Sequence, residues 1–198
     1  MRKLSVVSFL ALSLSASVAF AQAPAAPPAA PRMVLTVSGF ADGGQIPVKF
    51  SQAAPGVAAG EGLSPAISWT NTPSAAKSLV LHMRDMEGVR NKTTEDQLHW
   101  LVWNMKPTVT GLPEGVAKGA KLPDGSYQVS ATGPVYRGPG APAADPMHHY
   151  MFEIFALDTE ITIEPTVDMF ETRAKVLAAM QGHVIGKAVY GGLFRRPN

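Results

Sequence analysis

From Met33 onward the apolar stretches are short, and each is closed by glycine, proline or both. "MVLTVSGF", "IPVKF", "AISWTN", "SLVLHMRD", "LHWLVWNM", "SYQVSA", "HYMFEIFALD" and "GKAVYGGLF" have the length and side-chain content of β-strands. Between them lie "ADGGQ", "AAPGVAAGEGLSP", "GLPEGVAKGAKLPDG" and "GPVYRGPGAPAADP", all of it turn and loop chemistry. Strands this frequent bury their apolar faces by stacking two sheets, so the expectation is a mostly β fold, an antiparallel β-sandwich. One segment departs from the pattern. "TVDMFETRAKVLAAMQG" places Asp168 and Glu171 early, Met169, Val176, Leu177 and Met180 on roughly one face, and Gly182 as a stop signal. One or two late helices of this kind are expected to lie on the sandwich.

Alternation along a strand converts these runs into faces. In "HHYMFEIFAL", His148 and Tyr150 lead the face of Phe152, Ile154 and Ala156, whereas His149 shares a face with Glu153 that reads as solvent-facing. In "SLVLHMRD", Asp85 ends the face of Leu79, Leu81 and Met83, with His82 opposite. In "HWLVWNM", strict alternation puts His99 at the start of the face of Leu101, Trp103 and Met105. If strand 79–85 pairs antiparallel with strand 99–105, Asp85 and His99 meet at one rim. A strand from His148 running parallel to 99–105 adds His148 and Tyr150 to it. Trp69, Trp100 and Trp103 read as core, and His82 and His183 as structural residues.

The N-terminus belongs to a different economy of residues. "MRKLSVVSFLALSLSASVAFAQA" has a basic start, an apolar stretch and an A-F-A site, the layout of an export signal spanning residues 1–21. No cysteine follows it to accept a lipid anchor, and no later segment is long and apolar enough to span a bilayer. "QAPAAPPAAPR", residues 22–32, is a Pro/Ala-rich tether with nothing to bury, and residues 33–198 read as one domain. The expected location is periplasmic or secreted. The 17 Lys and Arg residues against 15 Asp and Glu include Arg2 and Lys3 of the signal; removing these two leaves 15 against 15. A formally neutral mature chain with no basic run offers a nucleic acid nothing to hold. With no cysteine, stability comes from burial and not from disulfides.

At these same residues the chain resembles the phosphatidylethanolamine-binding protein family, in its bacterial branch of Raf-kinase-inhibitor-like proteins. "FADGGQIPVKF" resembles the family's N-terminal strand pair, and "LSPAISWTNTP" its S-P-x-(I/L)-x-W-x-x-x-P segment. "SLVLHMRDME" stands at the apolar strand that ends in D-P-D, and "LHWLVWNM" at H-W-x-V-x-N-(I/M). "YRGPGAPAADPMHHYMFEIFALD" resembles G-P-x-P-P…H-x-Y-x-F, and "HVIGKAVYGGLFRR" the exit from the C-terminal helix into the last strand. Six elements in the family's order cover residues from about Met33 to Arg195. The resemblance implies a β-sandwich with a small cavity for phosphate, carboxylate or phospholipid-headgroup anions. It also implies a ligand-binding set of Asp85, His99, Gly138, His148 and Tyr150, Gly138 being supplied by the family pattern alone. Two departures stand out: Asp85-Met86-Glu87 lacks the prolines of D-P-D-x-x-P, and Ala141 replaces a usual proline.

The chemistry expected of such a pocket is donation to an anion: His99 and His148 from a ring nitrogen, Tyr150 from its hydroxyl, Gly138 from its backbone N–H. Asp85 would orient a histidine or receive an ammonium group. This reading has no catalytic residues, no metal and no cofactor. The competing reading treats Asp85, His99 and His148 as a zinc site. Zinc motifs usually place two ligands close in sequence, which these are not, and no general base is evident. No G-x-S-x-G nucleophile motif occurs. The resemblance further implies a protein partner, such as an extracytoplasmic serine protease that the chain would inhibit, and a homodimer.

Overall fold

A computed structural model describes residues 31–198; the expected export signal (1–21) and the 22–30 part of the tether lie outside the described residues. In chain order the elements are β1 (Val34–Val37), β2 (Gly44–Gln45), β3 (Ile67–Thr70), β4 (Ser78–Asp85), β5 (Gln97–Met105), β6 (Gly111–Leu112), β7 (Tyr127–Val129), β8 (His148–Leu157), α1 (Met169–Ala179) and β9 (Val184–Phe194). The strands form a three-stranded sheet, β1-β3-β6, and a six-stranded sheet, β2-β9-β8-β4-β5-β7. Every pairing is antiparallel except the short β2–β9 ladder, which is parallel.

The large sheet is covered on both faces, which explains why β4 and β5 read as almost unbroken apolar runs. On the inner face Leu79, Leu81, Met83, Phe152 and Ile154 meet Leu35, Val37, Ile67 and Trp69 of the small sheet. On the outer face Val80, Leu98, Leu101, Trp103 and Leu157 meet Val176 and Met180 of α1. Each such side chain contributes about 1.5–3 kcal/mol by leaving water. The three tryptophans are buried, and each indole N–H donates inside the fold: Trp69 to Val109 O (2.8 Å), Trp100 to Gln128 Oε1 (2.9 Å) and Trp103 to Ile163 O (2.9 Å).

Helix α1 starts and stops as its sequence indicates. The Asp168 carboxylate caps it, accepting from Phe170 N (2.9 Å) and Glu171 N (3.1 Å), and Gly182 turns away at φ +80°. Its buried face differs from the apolar stripe. Thr172, Arg173 and Val176 are the buried residues of the helix, while Met169 and Leu177 are only partly covered. Arg173 is drawn inward by Asp96, with Nη1 2.8 Å from Oδ1 and 3.0 Å from the Asp96 carbonyl.

Three other expectations need correction. "IPVKF" is not a strand: Val48–Phe50 forms a 3₁₀ turn after Pro47, which has no N–H for a ladder, and this turn drives Phe50 into the core. Glu153 does not face solvent. It is 5% exposed, held by Arg84 Nε at 3.0 Å and Lys187 Nζ at 2.6 Å. Strict alternation also fails in β5, where the pairing with β4 slips twice, between Met83 and Arg84 and between Leu79 and Leu81. Trp100, Val102 and Met105 therefore face the inner core, and Leu98, Leu101 and Trp103 the outer one. His99 is the extra residue of the first bulge, with no partner on β4 between Met83↔Trp100 and Arg84↔Leu98.

Candidate functional site

Asp85, His99, His148 and Tyr150 line one cavity of about 380 Å³ at the rim of the large sheet. Strand order creates it. β4 lies between β5 and β8, Asp85 is directly opposite Tyr150 across the β4–β8 ladder, and β5 enters beside it at Gln97. The bulge then turns His99 away from the side of Leu98 and Leu101 and toward Tyr150, their rings meeting edge to face at 5.0 Å. Alternation had assigned His99 to the face of Leu101 and Trp103; the bulge reverses that and brings the ring to the rim.

The ring nitrogens are already engaged. His99 Nδ1 lies 3.0 Å from the Arg137 carbonyl, an acceptor, so Nδ1 carries the hydrogen and Nε2 is a lone pair in the neutral ring. Nε2 faces Asp85 Oδ2 at 4.0 Å. Burial pushes the His99 pKa down to about 4, against the opposing pull of the Arg137 carbonyl and Asp85. His148 Nδ1 lies 3.0 and 2.9 Å from the two Asp85 oxygens and donates to them, which turns its Nε2 toward Asp145 Oδ2 at 3.8 Å. The His99 Nδ1 hydrogen is thus spent on a carbonyl inside the fold, while Asp85 orients His148, the role the sequence reading gave that carboxylate.

Tyr150 is engaged as well. Its hydroxyl accepts from Gly140 N and Ala141 N, both at 3.1 Å, and its own hydrogen meets the Asp85 carboxylate. Burial and the neighbouring Asp85 charge push its ionisation well above the ordinary tyrosine range, keeping that hydrogen in place. The departure at Ala141 matters here, since a proline has no N–H to give. The second departure is also compensated. Glu87 accepts from His149 N (2.7 Å) and pairs with His149 Nδ1 (2.6 Å), while its own N–H donates to Asp85 Oδ1 (3.1 Å), so a carboxylate ties down a loop that lacks prolines.

Gly138 does not line the cavity. Its N–H donates to Glu61 O (3.3 Å) and its carbonyl accepts from Gln52 Nε2 (2.7 Å). A Cβ there would come within 2.7 Å of Phe50 O and 2.8 Å of Ser51 C, so glycine serves close backbone approach and not donation to a ligand. Gly138→Ala is expected to lower stability by about 1–3 kcal/mol through overpacking. Thermal unfolding checks this: alanine keeps the N–H, so a pure donor role would leave the melting temperature unchanged.

Sequence reasoning missed the cavity's permanent cations. Arg137 and Arg90 both line it. Arg137 sits inside the quoted "YRGPG" motif, beside the glycine that was singled out, and its Nε is buried without a partner. Arg90 had no local signal. It is placed by Glu95 (2.6 Å) and by stacking on Phe170 of α1, its guanidinium 3.6 Å from the ring centroid. The set considered for zinc is not the trio with the closest geometry. Asp85, Glu87 and His148 offer ligand atoms within 4.8 Å of one another, but both Glu87 oxygens are occupied by His149.

A family model described as phosphatidylethanolamine-binding protein matches residues 36–195. A UPF0098 protein of Methanothermobacter thermautotrophicus is 39% identical over 166 residues, covering 83% of this chain and 99% of the relative. A UPF0098 protein of Chlamydia pneumoniae is 34% identical over 167 residues, covering 83% and 99%. Among solved structures, a phosphatidylethanolamine-binding protein homolog from Chlamydia trachomatis aligns with TM-score 0.67 at 31% identity over 84% of this chain and 99% of that one. Escherichia coli YbcL, described as a member of the mammalian family, aligns with TM-score 0.69 at 25% identity over 84% and 100%.

Proposed function

The chain belongs to the phosphatidylethanolamine-binding protein family, and from that premise we propose that it is an exported, non-catalytic protein whose rim cavity binds a small oxyanion, such as phosphate, carboxylate or a phospholipid headgroup. The observation that carries the reading is the convergence of Asp85, His99, His148 and Tyr150 with the Arg137 guanidinium on one cavity. Arg137 is the donor for the charged oxygens, and Arg90 adds a second cation at the lip. Hydrogen bonds to a charged partner contribute about 1.5–3 kcal/mol each. A few of them, less the cost of association, give a weak to moderate affinity for a bare anion. Asp85 and His148 act as one unit, the carboxylate fixing the ring through Nδ1.

Ligand that binds the folded chain alone raises its melting temperature. Phosphate is therefore expected to stabilise the mature protein in a concentration-dependent way, and His148→Ala to abolish the shift by releasing Asp85 and opening the rim. A variant that keeps the full response would place the anion at another site.

A further inference from the structure

We infer that the protein has a second ligand site, remote from the rim, that takes a fatty acid. The tail lies in an apolar groove at the side of the sandwich, and the carboxylate meets Lys106 and Lys77. This site does not rest on the anion reading above.

β4 ends and β5 begins at the rim, so Lys77, just before β4, and Lys106, just after β5, stand at the opposite end of the large sheet. Strands of this length separate the two ends by roughly 25 Å. A groove of about 430 Å³ runs between β6, an edge of the small sheet, and the 113–124 loop that leads to β7, an edge of the large one. That volume lies in the range of small-molecule sites. Val109, Leu112, Pro113, Val116, Leu122 and Pro123 line the groove. Leu112 and Leu122 belong to the inner core, and Val109 and Val116 pack against it, so the groove is a part of that core left uncovered. Its walls are fixed. Gly115 N and Val116 N donate to Ser64, both at 2.9 Å, Leu122 N donates to Ser126 O at 2.8 Å, and the Trp69 indole to Val109 O at 2.8 Å. A tail that enters finds its walls already ordered.

Charge enters where the groove meets a second hollow, of about 240 Å³, through the shared residue Asp124. Lys77, Asn104, Lys106 and Glu160 line that hollow. One turn, closed by Val109 N on Lys106 O at 3.0 Å, joins the lysine of the hollow to the valine of the groove. Lys49, Lys118, Lys175 and Lys187 each have a carboxylate within 4.0 Å, whereas Lys77 and Lys106 have none among the described residues. Asn104 accepts from Ile161 N through Oδ1 at 3.3 Å, which leaves its Nδ2 hydrogens to donate. Asp124 is turned aside, its Oδ1 accepting the Ser126 N–H at 3.0 Å and hydroxyl at 2.6 Å. Glu160 is the group that competes with a ligand for the two ammonium ions. An apolar channel that ends on unpaired ammonium groups fits an aliphatic chain with a terminal acid. A cationic amphiphile would set its charge against the lysines, and an alcohol would leave them without a counter-charge.

Titration calorimetry of the mature protein at neutral pH, below micelle formation, tests this with hexanoate, octanoate, decanoate and decyltrimethylammonium. Affinity is expected to rise about fourfold for each methylene that enters the groove. A decanoate-to-hexanoate ratio of about tenfold or more supports the site, and a smaller ratio overturns it. Decyltrimethylammonium is expected to bind at least about tenfold more weakly than decanoate; equal binding overturns the pairing of an acid head with the lysines. Lys106→Glu, a change at an exposed position, is expected to weaken decanoate by about tenfold, and Glu160→Gln to tighten it. Unchanged affinity in both variants overturns the placement. The rim cavity is the rival location for a carboxylate, and it is separated by two controls. Saturating inorganic phosphate and His148→Ala are each expected to leave decanoate binding as it is. Loss of binding in either would put the acid at the rim and overturn the second site while leaving the anion reading intact.

Discussion

Asp96→Ala is expected to lower the stability of the protein by about 3 kcal/mol, a fall of roughly 6–12 °C in melting temperature for a chain of this size. Asp96 closes the loop that carries Arg90 and is the hub of the outer-face ion network. Its two oxygens each take a guanidinium at 2.8 Å, Oδ1 from Arg173 of α1 and Oδ2 from Arg84 of β4. The Arg173 side chain is 7% exposed, so removing Asp96 leaves a buried cation with only the more distant Glu95, at 3.9 Å, as counter-charge. The effect belongs at the low end of what breaking a buried pair produces, because Arg173 keeps the Asp96 carbonyl at 3.0 Å and Arg84, about one-third exposed, keeps Glu153. The double variant D96L/R173M removes both charges and fills the space, and it is expected to recover most of the loss. Urea unfolding of the three proteins checks both statements. An Asp96→Ala stability within 0.5 kcal/mol of wild type, the ordinary range for surface substitutions, would show that the network is solvated and does not anchor the loop.

Acid is expected to destabilise the protein from about pH 6.5 downward, before most carboxylates titrate. Two histidines are buried with folded pKa values below the ordinary 6.5: His82 at about 3 and His99 at about 4. For both, burial is the leading cause; the cations Arg173, Arg84 and Lys187 around His82 add to it. Below pH 6.5 the unfolded chain protonates these rings and the folded chain does not. The unfolded state then binds more protons, and unfolding free energy falls with pH. The loss is absent above the ordinary histidine range, grows as pH falls, and levels off near pH 4 for His99 and pH 3 for His82. Each ring contributes about 1.4 kcal/mol per pH unit inside its window, on the order of 6 kcal/mol for the pair by pH 4. Urea titrations between pH 7 and 4.5 read the slope directly. His82→Gln is expected to remove about half of it, and a flat profile over this interval in the wild type would mean that water reaches the rings.

Much of this was legible in the chain. Ser78–Asp85 and Gln97–Met105 are strands over the same residues that the apolar runs mark out, and the helix is capped by the aspartate and closed by the glycine that signal its ends. Asp85, His99, His148 and Tyr150 could be placed at one rim because strand ends are carried together by antiparallel pairing, whatever the details of register. Glu153, buried between Arg84 and Lys187, read as solvent-facing, and the burial of Arg173 against Asp96 had no local signal, because a charged side chain gives no sign that a counter-charge awaits it from a distant segment.

What the sequence by itself determined is the strand content, the order of the elements and the residue types brought to the rim, since these follow from local periodicity, turn chemistry and strand direction. Which way His99 points, which of its nitrogens holds the hydrogen, and that Arg137 rather than Gly138 meets the cavity were decided only by the tertiary structure. The reason is physical: a bulge arises from the mismatch between two paired strands, and a tautomer from the carbonyl that happens to face the ring. Both partners come from elsewhere in the chain, and no stretch read alone contains them.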